Sequence, residues 1–248
     1  MSKWKRVRIG TLDVDAITFD EALREIGRLV EAKQGGAVFT PNVDHIMLAE
    51  RNEALRAAYG RASLSLADGV PVVWASRLLK PEVPEKISGS DLVPRLMRLA
   101  GEQQWRVYLL GGAKGVALQA AEILREHMGV NIVGVDDSFI ALEASDYDTR
   151  VIEKVRAVRP DLILVALGCP KQELFIDRNR PGLGPVVAVG IGASLDFVVG
   201  RVSRAPQWMS RSGLEWTYRL AQEPRRLWHR YLVRDMQFIF VILKALIR

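Results

Sequence analysis

The chain has 248 residues, of which 49% are apolar and 26% charged, with a net charge of +6 and one cysteine. That is enough to bury a substantial core in an ordinary globular fold, and it excludes both an internal disulfide and a disordered composition. The longest apolar run, about twelve residues from Met236 to Ile247, is interrupted by Lys244. It falls short of the roughly 20 residues that span a bilayer, but a segment of that kind can lie in an interface.

In chain order, Met1-Ser2-Lys3-Trp4-Lys5-Arg6 has no apolar stretch of the signal-peptide type, so a cytoplasmic protein is expected. A polar N-terminal lead, which includes Asp13-Val14-Asp15, precedes a predicted strand at Ala37-Val38-Phe39. Thr40-Pro41-Asn42 then leads into one predicted helix from Val43 to Tyr59. A strand from Ala62 to Ala67 ends at Asp68-Gly69. The Pro-containing connection 80–84 leads to a helix over Leu92 to Ala100, capped by Ser90 or Asp91. Trp105 to Leu110 reads as a strand, and Gly111-Gly112-Ala113-Lys114-Gly115 opens a helix reaching His127. Further strands are predicted at Asn131 to Gly134, Asp161 to Leu167 and Pro185 to Val189, with a helix over Tyr147 to Val158. Strands that are apolar along their whole length and alternate with helices imply a Rossmann-like, mostly parallel α/β sheet covered on both faces.

The unusual residues gather where those strands end, which is where such sheets bind ligands. Asp68 stands between a strand end and a glycine, either as a turn or cap residue or as a general base shielded from water. Gly111 and Gly112 either close a tight turn or let backbone N–H groups approach a phosphate. Gln172, in Gly168-Cys169-Pro170-Lys171-Gln172-Glu173, can hydrogen-bond sugar hydroxyls or phosphate. Asp196 can cap a helix, or bind ribose hydroxyls or a base edge. Cys169 reads as a small buried thiol, because His45, His127 and His229 offer no evident triad. No His/Cys metal spacing is evident, and no cofactor is expected.

From Arg201 to Arg248 there are ten basic and three acidic residues, so the positive charge is concentrated in a C-terminal appendage, 199–248, behind an α/β domain over 1–198. Trp208, Trp216, Trp228, Phe238, Ile239 and Ile242 give this tail an apolar face. Basic, apolar and Trp-rich is the composition of a helix on anionic lipid. Its arginines can meet a diphosphate by bidentate hydrogen bonds. An exposed apolar tail can also pack on another copy of the chain, so self-association is expected.

These stretches together resemble the WecG/TagA/CpsF glycosyltransferases (glycosyltransferase family 26). The resemblance is carried by Thr40-Pro41-Asn42, Ala67-Asp68-Gly69, Gly89-Ser90-Asp91-Leu92, Leu110-Gly111-Gly112, Gly168 to Glu173, and Gly190-Ile191-Gly192 with Asp196. It continues through Arg204-Ala205-Pro206, Gly213-Leu214-Glu215-Trp216, Arg219, Glu223-Pro224 and Arg230-Tyr231. It implies an inverting transferase that needs no metal. The donor would be a UDP-sugar, such as UDP-N-acetylmannosamine or its uronic acid, and the acceptor a sugar on a polyprenyl diphosphate at the inner face of a bacterial membrane. On that resemblance Asp68 would be the base, with Thr40 beside it and Asn42 in the same motif. Gln172 and Asp196 would lie near the nucleotide-sugar, and Arg219, Arg226 and Arg230 are expected to serve the diphosphate. Two other readings compete. An NAD-type oxidoreductase lacks the G-x-G-x-x-G fingerprint. A basic membrane or nucleic-acid adaptor would have no use for Asp68.

Overall fold

The computed structural model describes residues 4–138, 140–203, 205–206, 208–209, 212, 214–222, 224–229 and 235–247, except for the side chains of Arg219, Arg226, Leu227 and His229. The polar-looking N-terminal lead is an ordered hairpin. β1 (Arg6–Ile9) pairs antiparallel with β2 (Leu12–Asp15). Val7, Ile9, Leu12 and Val14 are buried by its alternation. Asp15, fully buried, accepts hydrogen bonds from Arg6 Nε at 2.8 Å and from the Ser65 backbone N–H at 2.7 Å, and so ties the hairpin to the main sheet. In sequence this carboxylate is one more polar residue of the lead, because Ser65, the partner that encloses it, lies fifty residues away. Thr18 and Glu21 then form a reciprocal capping box that starts α1 (Phe19–Glu31).

The main sheet has six strands: β3 (Gly36–Phe39), β4 (Leu64–Ser65), β5 (Arg106–Gly111), β6 (Asn131–Asp136), β7 (Leu162–Ala166) and β8 (Val187–Gly190). Their order is β4-β3-β8-β7-β5-β6 and every neighbouring pair is parallel. Alternate residues serve two separate cores. Phe39, Tyr108, Leu110, Ile163, Val165 and Ala188 face one, and Val38, Val107, Leu109, Leu162, Leu164 and Val187 the other. The Rossmann-like α/β class read from the uninterrupted apolar strands is therefore the class observed.

The helices differ in detail from the expectation. The predicted helix Val43–Tyr59 is two, α2 (Val43–Ala49) and α3 (Glu53–Gly60), because Asn42 and Asn52 each cap a new start. The strand predicted over 62–67 is confined to Leu64–Ser65, an edge strand, with the flanking Ser63 and Leu66 N–H groups donating to the Ala37 and Phe39 carbonyls of β3 at 2.8 Å. Helix α5 (Gly89–Glu102) begins early, capped by Ser88 rather than by Ser90 or Asp91. Helices α4 (Val70–Leu79), α6 (Val116–Met128), α7 (Asp146–Val158), α8 (Lys171–Leu183) and the short α9 (Ser194–Val198) complete the layers.

In the C-terminal segment, α10 (Glu215–Gln222) and α11 (Pro224–His229) precede a 3₁₀ turn (Asp235–Gln237) and α12 (Phe238–Leu246). Helix α12 returns to the body. Phe238 and Ile242 enter the first core, which also holds α2, α4 and the hairpin. Its other face leaves Ile239, Phe240, Leu243, Leu246 and Ile247 exposed, and Trp74 and Leu78 of the adjoining α4 are exposed as well. No helix among the described residues is long and apolar enough to cross a membrane.

The site position follows from this topology. From β3 the chain turns outward to β4, whereas β8, its other neighbour, is entered from β7. Helix α2 after β3 covers one face, and α9 after β8 contributes Leu195 to the other. The carboxyl ends of β3 and β8 thus form the switch point in strand order, the position where open α/β sheets bind ligands.

Candidate active site

Thr40 follows β3 directly and is 4% exposed, with its hydroxyl 3.5 Å from the Gly190 carbonyl at the end of β8. The Asp68 backbone N–H donates to the Pro41 carbonyl at 2.9 Å, which stitches the end of β4 to that of β3. Thr40 and Asp68, far apart in sequence, therefore belong to adjoining strand ends. Asp68 is half-buried. The cap position of α4 belongs to Gly69, which has no side chain to cap with and takes φ +111°. Asn42 caps α2, its Oδ1 accepting from the His45 N–H at 3.2 Å.

Within electrostatic reach of Asp68 lies a residue that the sequence reading missed. Lys86, largely shielded, lies 3.1 Å from Asp91 and 3.3 Å from Glu215 of α10. Burial alone would lower its pKa, but Glu215, Asp91 and Asp68 outweigh that and raise it. Lys86 is therefore a cation within electrostatic reach of Asp68, and its contact with Glu215 holds the C-terminal segment to this part of the body. What marks it is the approach of Glu215, 129 residues away, together with Asp91 and the field of Asp68.

Gln172 enters from α8 and is 1% exposed. Its Oε1 accepts from the Gly192 N–H at 2.9 Å, and its Nε2 donates to Glu173 Oε1 at 2.8 Å. Gly190 has to be glycine here: a Cβ would lie 2.9 Å from Gln172 Nε2 and 3.2 Å from its Cδ. Glu173 is fully buried, and burial pushes its pKa up to about 7 despite hydrogen bonds from Gln172 and the Cys169 thiol. His45 Nδ1 lies 3.7 Å from Glu173 Oε1 and 2.7 Å from the hydroxyl of Tyr59. Burial, reinforced by Glu173, keeps that phenol protonated. Glu173, His45 and Tyr59 thus form a polar layer beneath Gln172. Glu173 was visible in the loop motif, but nothing local shows that it is enclosed.

The other expected residues fall around this centre. Gly111 takes φ +90°, and a Cβ there would lie 2.8 Å from the Ala166 carbonyl, so close approach to β7 requires glycine. Gly112 takes φ +87°, and its N–H donates to that same carbonyl at 2.8 Å. The Asp137 carboxylate accepts from Gly115 N–H at 3.0 Å, so an acid already stands at the start of α6. Asp196 lies half-buried in α9, immediately beyond the Gly190–Gly192 turn. Arg219 and Arg226 fall in α10 and α11 but their side chains, like the whole of Arg230, lie outside the described residues.

A parallel α/β sheet that brings a shielded hydroxyl, a carboxylate, a buried amide and a held cation to one strand-end switch point has the build of an enzyme acting on a polar ligand. The chain's particular place among such enzymes is set by its relatives. The model of the glycosyl transferase WecG/TagA/CpsF family matches residues 7–248, and the chain belongs to that family and is a glycosyltransferase. It is 35% identical over 204 residues to the N-acetylglucosaminyldiphosphoundecaprenol N-acetyl-β-D-mannosaminyltransferase of Bacillus spizizenii, covering 82% of this chain and 77% of that protein. It is 32% identical, with the same coverage, to the protein of that name from Bacillus subtilis. The oxidoreductase and adaptor readings are thereby set aside.

Proposed function

We propose that the chain moves N-acetylmannosamine, or a closely related hexose or uronic acid, from a UDP-sugar to N-acetylglucosamine carried on undecaprenyl diphosphate. The acceptor and the sugar are those in the relatives' names. The β linkage in those names is what a single displacement on an α-linked donor produces. Such inversion needs one base and no covalent glycosyl-enzyme. The observation that carries the assignment is the joining of Asp68 to the Thr40–Asn42 segment at the β3/β8 switch point.

In the proposed step Asp68 takes the proton from the acceptor hydroxyl as its oxygen forms the new bond to the anomeric carbon. The bond from that carbon to the β-phosphate oxygen breaks, and UDP departs with the electron pair. The negative charge growing on UDP is the feature to be stabilised most in the transition state. Lys86, and arginines of the C-terminal segment at Arg219, Arg226 and Arg230, supply cations for it without a metal ion. Gln172, Asn42, Asp196 and the Gly111-Gly112 turn orient the donor. Glu215 links α10 to Lys86, so ordering of that segment and filling of the site are coupled. The exposed face of α12, with Trp74 and Leu78 of α4, rests on the inner leaflet of the bacterial membrane, where the acceptor is anchored.

The test is UDP release from a panel of UDP-sugars with a polyprenyl-diphosphate N-acetylglucosamine acceptor in the presence of EDTA. One donor should give acceptor-dependent release. Asp68→Asn, still folded, should lower it ~100- to 10,000-fold, the range for a lost general base. A folded Asp68→Asn protein with wild-type turnover would refute the assignment of the base. Release that vanishes with EDTA and returns with a divalent ion would refute the metal-free mechanism.

A further inference from the structure

One cluster beneath this switch point is not used by the proposed transfer. His45, Cys169 and Glu173 each offer a ligand atom, and these atoms lie within 4.8 Å of one another. They converge from three segments: α2, the loop after β7, and the first turn of α8. In a tetrahedral zinc site, bonds of about 2.0–2.3 Å place ligand atoms roughly 3.3–3.8 Å apart. The His45 Nδ1 to Glu173 Oε1 separation of 3.7 Å already has that spacing. A contraction of about 1 Å, within reach of side-chain rotation, brings in the widest pair. A second observation points to a ligand here. Glu173 Oε2 is buried and has no hydrogen-bond partner among the described residues, an unusual state for a carboxylate oxygen. Cys169 is only partly buried, which gives an ion a way in.

We propose that His45, Cys169 and Glu173 form a binding site for a borderline-soft divalent cation of the zinc type, distinct from the transfer chemistry, and that its occupation restrains Gln172. One imidazole nitrogen, one thiolate and one carboxylate are a zinc-like donor set, and a fourth position is left for water. Capture through Nδ1 exchanges the Tyr59 contact for the metal. The same carboxylate holds Gln172 Nε2 at 2.8 Å. Binding therefore draws Glu173 off the amide, whose other end holds Gly192. On the reading of Gln172 as a donor-binding residue, the ion is a reversible inhibitor.

The experiment titrates the metal-stripped, untagged full chain with cobalt(II), a spectroscopic stand-in for zinc, and then displaces cobalt with zinc. One equivalent should bind with a thiolate-to-cobalt charge-transfer absorption. Cys169→Ser should abolish that absorption. Glu173→Gln should weaken binding at least about 10-fold, the loss produced even by changes outside the ligands themselves. Circular dichroism checks that each variant is folded. No thiolate absorption at saturating cobalt, or equal affinity in the wild type and both variants, overturns the site. In the second arm zinc should lower UDP release by the wild type and spare Cys169→Ser. Zinc bound as described with no effect on release overturns the coupling to Gln172. The binding arm needs no sugar substrate, so it reads independently of whether the proposed transfer is correct.

Discussion

Gly190→Ala tests whether Gln172 must sit where it does. The new methyl carbon would lie 2.9 Å from Gln172 Nε2, 3.2 Å from Cδ and 3.4 Å from Cγ. Rotation of the terminal amide relieves only the first contact, so the whole side chain must shift, and at 1% exposure it has little room. Overpacking of this kind costs about 1–3 kcal/mol. The shift also breaks the hydrogen bonds to Gly192 N–H and Glu173 Oε1, each worth about 0.5–1.5 kcal/mol. Together these give an expected loss of about 2–6 kcal/mol in urea unfolding. If Gln172 orients the donor, a displacement near 1 Å should also cut UDP release roughly 10- to 100-fold, about 1.4–2.7 kcal/mol in the barrier. The double variant Gly190→Ala/Gln172→Ala removes the clash and should be no less stable than Gln172→Ala alone. That non-additivity is the signature of a direct contact. Wild-type stability and release in Gly190→Ala, or fully additive losses in the double variant, would refute the reasoning.

Further measurements probe the frame. Asp15→Ala should cost about 3 kcal/mol in urea unfolding, because it strips Arg6 of its buried partner and orphans the Ser65 N–H; a change below 1 kcal/mol would show that the hairpin is not tied through this group. Gly101→Ala would set a Cβ 2.2 Å from the Met128 carbonyl, which only backbone movement relieves, so a loss of about 3 kcal/mol is expected and an unchanged melting curve would contradict the packing of α5 on the end of α6. Burial would raise the Asp136 pKa, but the hydrogen bonds from Lys154 and Ser138 prevail and it lies below the usual 3.8. A lowered carboxylate stabilises the fold above its unfolded value and loses that contribution as pH falls through the folded value. The stability gap between wild type and Asp136→Asn should therefore be constant above about pH 5 and close below 3.8; a gap that persists in acid would discount the ion pair. Phe240→Asp with Ile247→Asp changes side chains that are 72% and 86% exposed, so folding should survive. Loss of two apolar anchors, each worth about 1.5–3 kcal/mol, should weaken sedimentation with anionic vesicles by more than 10-fold, and undiminished binding would remove α12 from the membrane contact.

The α/β class was legible in the sequence because β5, β7 and β8 are apolar on both faces, and only a sheet covered on both sides produces such runs. The candidate site's outline was legible for a related reason. Open α/β sheets bind ligands beyond their strand ends, so Thr40, Asp68, Gln172 and Asp196 stood out by position as candidates. Helix starts were less legible. Asn42 and Asn52 were both visible as capping residues, yet the apolar pattern between Val43 and Tyr59 masked the break. What the sequence could not show is which distant groups meet. The burial of Asp15 depends on Ser65, the cationic state of Lys86 on Asp68, Asp91 and Glu215, and the raised pKa of Glu173 on its enclosure beside Cys169 and His45. Each rests on long-range proximity in a low-dielectric interior, where a charge's behaviour is set by neighbours contributed by other segments. Local pattern determined the layers and their ends; only the tertiary structure decided which of those ends face one another and in what electrostatic company.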